Sequence, residues 1–547
     1  MGIEGFTEFK KEDVEKYKKY GWWWGITWGD LLDKAADLYP NKEALVDDTE
    51  RFTYEVLREK VNRLAISFIN LGIEKKDFVL LQIPNWHEFI YSYFALHKIG
   101  AMLVPLVPRH AYTEISYLCA LTEPKAWIVP EKYGKIDYLP LIEKIQNENP
   151  QLNFIISPRY RTDGQFISLD RLITEANLSQ ENLRNLSNRR PSPMEVGQIM
   201  PTGGTTGVPK AAPRTHNDYI ANVEYHSRAW EITSEDTILT VAPVSHGQGI
   251  LAGLGGSFLN FAKYVLTEST DPENICKVIE REKVTAFPTV PAIINRLVNF
   301  DGLKRYDLSS LKKIYGGGAP STPELVKKVH NTLNCKYVNA YGSVEGSSSM
   351  TRLNDDIDLI CNTVGKKDCP YSHFKILDTD GNELPLNTSG ELVTKGPTIF
   401  TGYFKSDEAN KDAFTNDGYF RTGDLAEIDE KGYIRITGRI KDIILRGGES
   451  ISATEIEKLI ANHPDIHDVA VIGMPDKDLG ERICAYVQLC SSAELDAEEI
   501  LLFLRRQGAS ILQLPERIEF IDPIPLTKVG KTDKELLRLD IVKRMNS

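Results

Sequence analysis

Between Met200 and Lys210 the chain reads Met200-Pro201-Thr202-Gly203-Gly204-Thr205-Thr206-Gly207-Val208-Pro209-Lys210. Its glycines let backbone N–H groups approach a ligand closely, its threonines add hydroxyl donors, and its lysine brings a fixed positive charge. That chemistry suits a triphosphate. The spacing departs from G-x-x-x-x-G-K-[ST], because Pro209 precedes Lys210 and Ala211 follows it. A second glycine run, Tyr315-Gly316-Gly317-Gly318-Ala319-Pro320, offers bare backbone against which a flat ring can lie. Near the carboxyl end, Pro525-Leu526-Thr527-Lys528-Val529-Gly530-Lys531 puts a lysine on a glycine turn, where two approaching anions could be bridged by a mobile ammonium.

Placing such loops takes a large scaffold. The chain has 547 residues, 41% hydrophobic and 26% charged, which is globular composition long enough for roughly three to four structural units. Its formal charge of −12 gives no bulk attraction for nucleic acid or a membrane surface, so bound phosphate must be held by local design. Short apolar strands alternate with helical spacing: Phe78–Ile83, Met102–Val107, Ala126–Pro130, Phe154–Ser157, Thr237–Ala242, Tyr264–Thr267 and Val284–Phe287 are separated by segments such as Tyr54–Leu71 and Glu88–Ile99. This predicts an α/β fold with parallel sheets covered on both faces. The polar stretch Asn177–Pro193 reads as a long surface loop. After Gly390 short strands and Gly-Asp turns dominate, and from Asp442 a compact α+β pattern follows. The expected organisation is a large amino-terminal core, residues 1–440, with α/β layers and a small β-rich subdomain, then a small mobile α+β domain, residues 441–547.

Seven cysteines without a C-x-x-C pair read as free thiols. The amino terminus lacks an apolar signal core, and no stretch makes a span of about 20 apolar residues, so a cytoplasmic protein is expected. Some spacings mimic other chemistries. Gly247-Gln248-Gly249-Ile250-Leu251-Ala252 fits the dinucleotide pattern G-x-G-x-x-G/A, leaving an NAD-dependent oxidoreductase as a minor alternative. With His246 it also mimics a lipase oxyanion loop, but no G-x-S-x-G supplies a nucleophile. His463 and His467 flank Pro464, which suits a helix-to-turn corner better than a metal site. Trp22, Trp23 and Trp24 read as a docking surface of the amino-terminal segment.

The loop at 200–210 resembles the phosphate loop of the adenylate-forming superfamily: acyl-CoA synthetases, aryl-acid AMP ligases, peptide-synthetase adenylation domains and luciferases. Motifs in chain order extend the resemblance to Lys531. It is greatest to the stand-alone aryl-acid branch, with Pro213-Arg214-Thr215-His216-Asn217-Asp218-Tyr219 after the loop. The resemblance implies ATP, Mg²⁺ and coenzyme A as cofactor or co-substrates. It assigns nucleotide contacts to Thr202, Gly203, Gly204, Thr205, Thr206, Gly207 and Lys210, with adenine against Gly316, Gly317, Gly318, Ala319 and Pro320. In Asn339-Ala340-Tyr341-Gly342-Ser343-Val344-Glu345 it stacks Tyr341 on adenine and gives Glu345 the Mg²⁺, a hard cation that takes oxygen ligands. Val344 stands where the wider family usually has a hydroxyl-bearing Thr. Asp424 takes the ribose hydroxyls, a use natural for an ionised acceptor, with Arg439 as second contact. Lys441 is the hinge, and Gly447, Gly448 and Glu449 line the thiol channel. Lys531, Thr202, Lys210 and His246 are the implied catalytic residues.

The acid pocket is expected between Tyr225, His246, Gly247, Ala252, Gly317, Gly342 and Val344. In relatives specific for ortho-hydroxybenzoates an Asn follows the His and a Ser meets the second hydroxyl. Here Gly247 and Ala252 stand at those positions, which predicts an unsubstituted or apolar ring acid such as benzoate or an alicyclic carboxylate. With the chain ending soon after Lys531, no fused carrier domain is expected, and the expected acceptor is CoA or, as the alternative, a separate carrier protein. CoA is the favoured reading. The sequence does not decide oligomeric state; a homodimer is admitted.

Overall fold

The computed structural model describes residues 4–159, 166–202, 209–319, 321–446, 449–491, 493–507, 509–528 and 530–546. They form a mixed α/β architecture in two compact units. The first comprises residues 1–360, 365–373 and 395–414, and the second residues 361–364, 374–394 and 415–547. The sequence-derived boundary at 440/441 falls inside the second unit, between its two sheets.

The first unit holds two large sheets. One has nine strands, whose central parallel members are Lys336–Gly342, Lys313–Gly317, Ala286–Thr289, Thr237–Thr240 and Lys263–Leu266, in that spatial order. Most of these strands are buried on both faces, as parallel sheets require. The other sheet has seven strands and ends in an antiparallel hairpin, Val196–Pro201 with Ala211–Thr215. Helix His87–Ile99 is buried along its whole length, and helix His216–Ala229 nearly so, which fits their mixed, weakly amphipathic sequences. Threonine side chains start several helices: Thr53 accepts from the Val56 N–H, and Thr215 from that of Asp218.

The expected strands and helices named above are all present, most shifted by one to three residues at an end. The stretch Asn177–Pro193 is corrected: it contains a helix, Gln180–Asn188, capped by the Ser179 hydroxyl. Its apolar residues are Leu183 and Leu186, of which Leu186 alone is buried, a stripe too short to stand out from the surrounding polar run.

The second unit contains a four-stranded sheet, which includes Phe420–Ile428 paired with Ile434–Arg439, and a five-stranded sheet between Ile443 and Phe520. Helices Ala453–Ala461 and Ala497–Arg506 cover one face of the latter around Ile456, Ile460, Ile500 and Leu504. All seven cysteines are unbridged. Among the described residues no helix is long and apolar enough to cross a membrane.

Candidate active site

The predicted nucleotide and acid loops of the first unit follow one geometric rule. Parallel strands Thr237–Thr240, Ala286–Thr289, Lys313–Gly317 and Lys336–Gly342 are neighbours, and the segments bearing His246, Gly318 and Glu345 leave from their carboxyl ends. Ligand sites of open α/β sheets lie outside such ends. The Gln248 amide joins two of these segments by donating to the Thr289 carbonyl at 3.0 Å.

The predicted phosphate loop falls between the two strands of the hairpin in the other sheet. Its mouth is closed twice: the Thr202 N–H donates to the Lys210 carbonyl at 2.8 Å, and the Lys210 N–H to the Thr202 hydroxyl at 3.1 Å. Gly203, Gly204, Thr205, Thr206 and Gly207 lie outside the described residues, as do Pro320, Gly447 and Gly448. The exposed Lys210 places its ammonium 4.6 Å from the centroid of the Tyr403 ring, a cation–π distance.

At the predicted ring platform, Gly316 is demanded by sterics. A Cβ there would lie 1.8 Å from the Tyr337 hydroxyl, which itself hydrogen-bonds Ser321 at 2.7 Å. Gly317 is buried, Gly318 and Ala319 are exposed beyond the strand end, and Tyr341 is half-buried on the neighbouring strand beside Gly342. Asn339 is buried with Ala340, its backbone N–H donating to the Thr351 hydroxyl and its amide to the Ile360 carbonyl.

Two residues that motif reading did not single out build the turn after this strand. Arg214 is fully buried and ion-paired with Asp218 at 2.9 Å. It donates to the Val344 carbonyl at 2.6 Å and the Thr398 carbonyl at 2.8 Å. Within the turn, the Ser343 N–H donates to the Ser347 carbonyl, and Gly346 has φ +108° with Thr398 so close that a Cβ would overlap it. The buried Glu345 side chain accepts from the Tyr403 hydroxyl at 2.7 Å. Burial, together with the adjacent Glu345 carboxylate, pushes the Tyr403 phenol far above its ordinary range, so it serves as a donor. An oxygen-bearing side chain oriented in this way fits the hard Mg²⁺ ion, which when bound supplies neutralisation of phosphate charge. Arg214 lies on strand Ala211–Thr215, just before the helix that carries Asp218, so no helical spacing pairs the two, and nothing in the sequence ties Tyr403 to Glu345.

His246 and Gly247 precede a π-helix, Gly249–Gly255, which contains the buried Ala252. A Cβ on Gly247 would stand 3.2 Å from Val344 Cγ1, so these two predicted pocket residues face each other. The glycine at 249 is explained by packing: its Cβ would collide with the backbone of Pro243 and Val244. Tyr225 sits in a cluster with Tyr17, Trp23, Ala221 and Cys369, its hydroxyl 3.4 Å from the Trp22 carbonyl. In that amino-terminal segment Trp23 is buried and donates to the Pro397 carbonyl, Trp22 stacks on Tyr371 at 4.3 Å, and Trp24 is partly exposed.

In the second unit, Asp424 is buried on strand Phe420–Ile428 and Arg439 lies opposite it. Lys441 occupies a short 3-10 turn, Ile440–Asp442, and Asp442 pairs with Arg538 and Lys534. Glu449 opens a strand opposite Arg446. Lys531 is exposed on a tight turn in which the Thr527 N–H donates to the Lys531 carbonyl and the Thr527 hydroxyl accepts from the Lys531 N–H.

Among the described residues, one His–carboxylate cluster has metal-like spacing, Asp47, His87 and Glu88. Arg159 already pairs with both of its carboxylates, at 3.5 Å from Asp47 and 2.7 Å from Glu88.

The first unit is thus a two-sheet α/β body whose predicted site segments leave from the ends of neighbouring strands. The model of the AMP-binding enzyme family matches residues 32–404, and that of the AMP-binding enzyme C-terminal domain matches residues 455–531. The chain belongs to this adenylate-forming family. It is 34% identical to a 2,3-dihydroxybenzoate-AMP ligase of Bacillus subtilis (strain 168), over 99% of each chain. It is 32% identical to a salicylyl-CoA synthase / salicylate adenylyltransferase of a Streptomyces species, over 99% of this chain and 98% of that one. The solved structure of the anthranilate CoA ligase AuaEII with anthranoyl-AMP shares the fold, with a TM-score of 0.87 at 22% identity, covering 96% and 98% of the two chains.

Proposed function

We propose that this ligase activates an aromatic or alicyclic carboxylic acid with Mg-ATP and transfers it to coenzyme A. The substrate carboxylate oxygen bonds to the α-phosphorus and pyrophosphate leaves, giving the acyl-adenylate. The CoA sulfur then bonds to the acyl carbon, its proton passes to solvent, and AMP leaves with the former carboxylate oxygen. Thr202, Lys210 and the 203–207 loop hold the phosphates, Glu345 the Mg²⁺, Tyr341 and Gly316–Pro320 the adenine, and Asp424 with Arg439 the ribose. Lys531 bridges the substrate carboxylate and α-phosphate in the first step. Residues 441–547 then turn about Lys441, withdrawing Lys531 and bringing Gly447, Gly448 and Glu449 to the thiol.

The observation that carries the choice of acid is the apolar meeting of Gly247 and Val344, with Ala252 on the following π-helix. A pocket lined so offers ring hydroxyls no partner and would strand them. The names of the relatives support a cyclic acid. The dihydroxybenzoate relative, named for its adenylate and not for CoA, favours a second reading in which a separate carrier protein takes the acyl group.

The test is AMP release from Mg-ATP with benzoate and with cyclohexanecarboxylate, each with and without CoA. Rapid AMP formation that requires CoA is the expected result. Acid-dependent pyrophosphate exchange without CoA-dependent turnover would replace CoA by a carrier protein, and no reaction in either assay would overturn the choice of acid.

A further inference from the structure

We propose that Tyr403 is a positioning residue that couples the phosphate-loop lysine, Lys210, to the cation-holding carboxylate of Glu345; this rests on the roles given to those two residues above. They come from different sheets of the first unit. Lys210 ends the hairpin loop of the seven-stranded sheet, and Glu345 sits in the turn leaving the nine-stranded one.

Segment 397–405 spans the two. Its backbone bonds on one side to Glu345, through the Phe400 N–H at 2.8 Å, and on the other to Ala211, next to Lys210, through the Phe404 N–H at 2.9 Å. The Tyr403 side chain repeats that bridge with chemistry suited to each partner. Its hydroxyl donates to the carboxylate, and its π-face lies under the ammonium. Tyr403 itself is fixed by a reciprocal pair with Asn410, which accepts from the Tyr403 N–H at 2.7 Å and donates to its carbonyl at 2.9 Å. The amino-terminal segment braces the same stretch: Gly5 accepts from the Lys405 N–H, and Phe6 stacks on Phe404 at 4.6 Å. A single phenol thus sets the spacing between the cation that meets the phosphates and the anion that meets their metal.

The experiment uses Mn²⁺ as a spectroscopic probe, its binding to the full-length protein with ATP followed by electron paramagnetic resonance, alongside calorimetric ATP binding in EDTA. Tyr403→Phe removes only the hydroxyl, so Mn²⁺ affinity should fall about tenfold while metal-free ATP affinity stays unchanged. Tyr403→Leu removes the ring as well and should weaken both, with thermal melting used to confirm that each variant is folded. Glu345→Gln should lose the protein-bound Mn²⁺. Wild-type Mn²⁺ affinity in Tyr403→Phe, or an equal loss with and without metal, would overturn the proposal. Undiminished binding in Glu345→Gln would instead sink the role given to Glu345, and the proposal with it.

Discussion

The Arg439 guanidinium donates through Nε to Asp424 Oδ1 at 2.8 Å, directly across the antiparallel register that pairs the two residues. The Asp424 side chain is buried and the arginine half exposed, so the strand pair presents an oxygen acceptor already oriented by its own cation. Asp424→Asn should raise the KM for ATP about tenfold or more, since the amide is a poorer partner for both ribose and arginine. Arg439→Leu should raise it less, and neither should alter the KM for the acid. Steady-state kinetics at saturating acid checks this.

Arg214 gives a stability prediction. Removing it leaves Asp218 buried without its cation, and breaking a buried pair from one side costs about 3–5 kcal/mol. Arg214→Leu should show that loss in urea unfolding. The double variant Arg214→Leu, Asp218→Leu should recover much of the stability but not the activity, because the Val344 and Thr398 carbonyls still lack their donor.

Gly247 gives a specificity prediction. An asparagine there must displace Val344 by a few tenths of an ångström and would bring an amide into an apolar wall. Gly247→Asn should lower activity with benzoate and raise the salicylate-to-benzoate ratio of kcat/KM by about tenfold. Acid-dependent pyrophosphate exchange measures that ratio, and an unchanged ratio would remove Gly247 from the pocket.

A pH effect on stability is expected from Glu224. Burial raises its carboxyl to about 7, against the opposing influence of Arg228 and Trp24. The folded chain therefore holds a proton that the unfolded chain has released between about pH 4.5 and 7. Its contribution is full below that window and is lost as the pH rises through it. Glu224→Gln should flatten the decline of Tm between pH 5 and 8 in calorimetric scans. Parallel curves for the two proteins would exclude this residue as the source.

The candidate loops could be named because their residue types lie close together in the chain. Glycines and a lysine stand together at 203–210, as do Gly423 and Asp424, which the structure places in strand Phe420–Ile428. Helix Tyr54–Asn70 was legible through its apolar periodicity, and the strands as short apolar runs bounded by Gly or Pro. What escaped was tertiary. Arg214 gains its meaning from carbonyls at 344 and 398, and Tyr403 from a carboxylate at 345, separations that no spacing rule spans. Helix Gln180–Asn188 escaped for the opposite reason, having too little buried surface to leave a pattern.

The π-helical turn at Gly249–Gly255 bears on how such pockets diversify. A π-turn accommodates an additional residue per turn, and its return to α geometry takes one deletion. That deletion would re-aim the side chains within the turn while later ones kept their facing, because a π-turn absorbs its additional residue locally. A different residue would then stand where Ala252 is now, with the hairpin and carboxylate turn untouched. Under the proposed pocket, change in chain length, and not only change of side chain, is thus an available route to new acids that leaves the hairpin loop as it is.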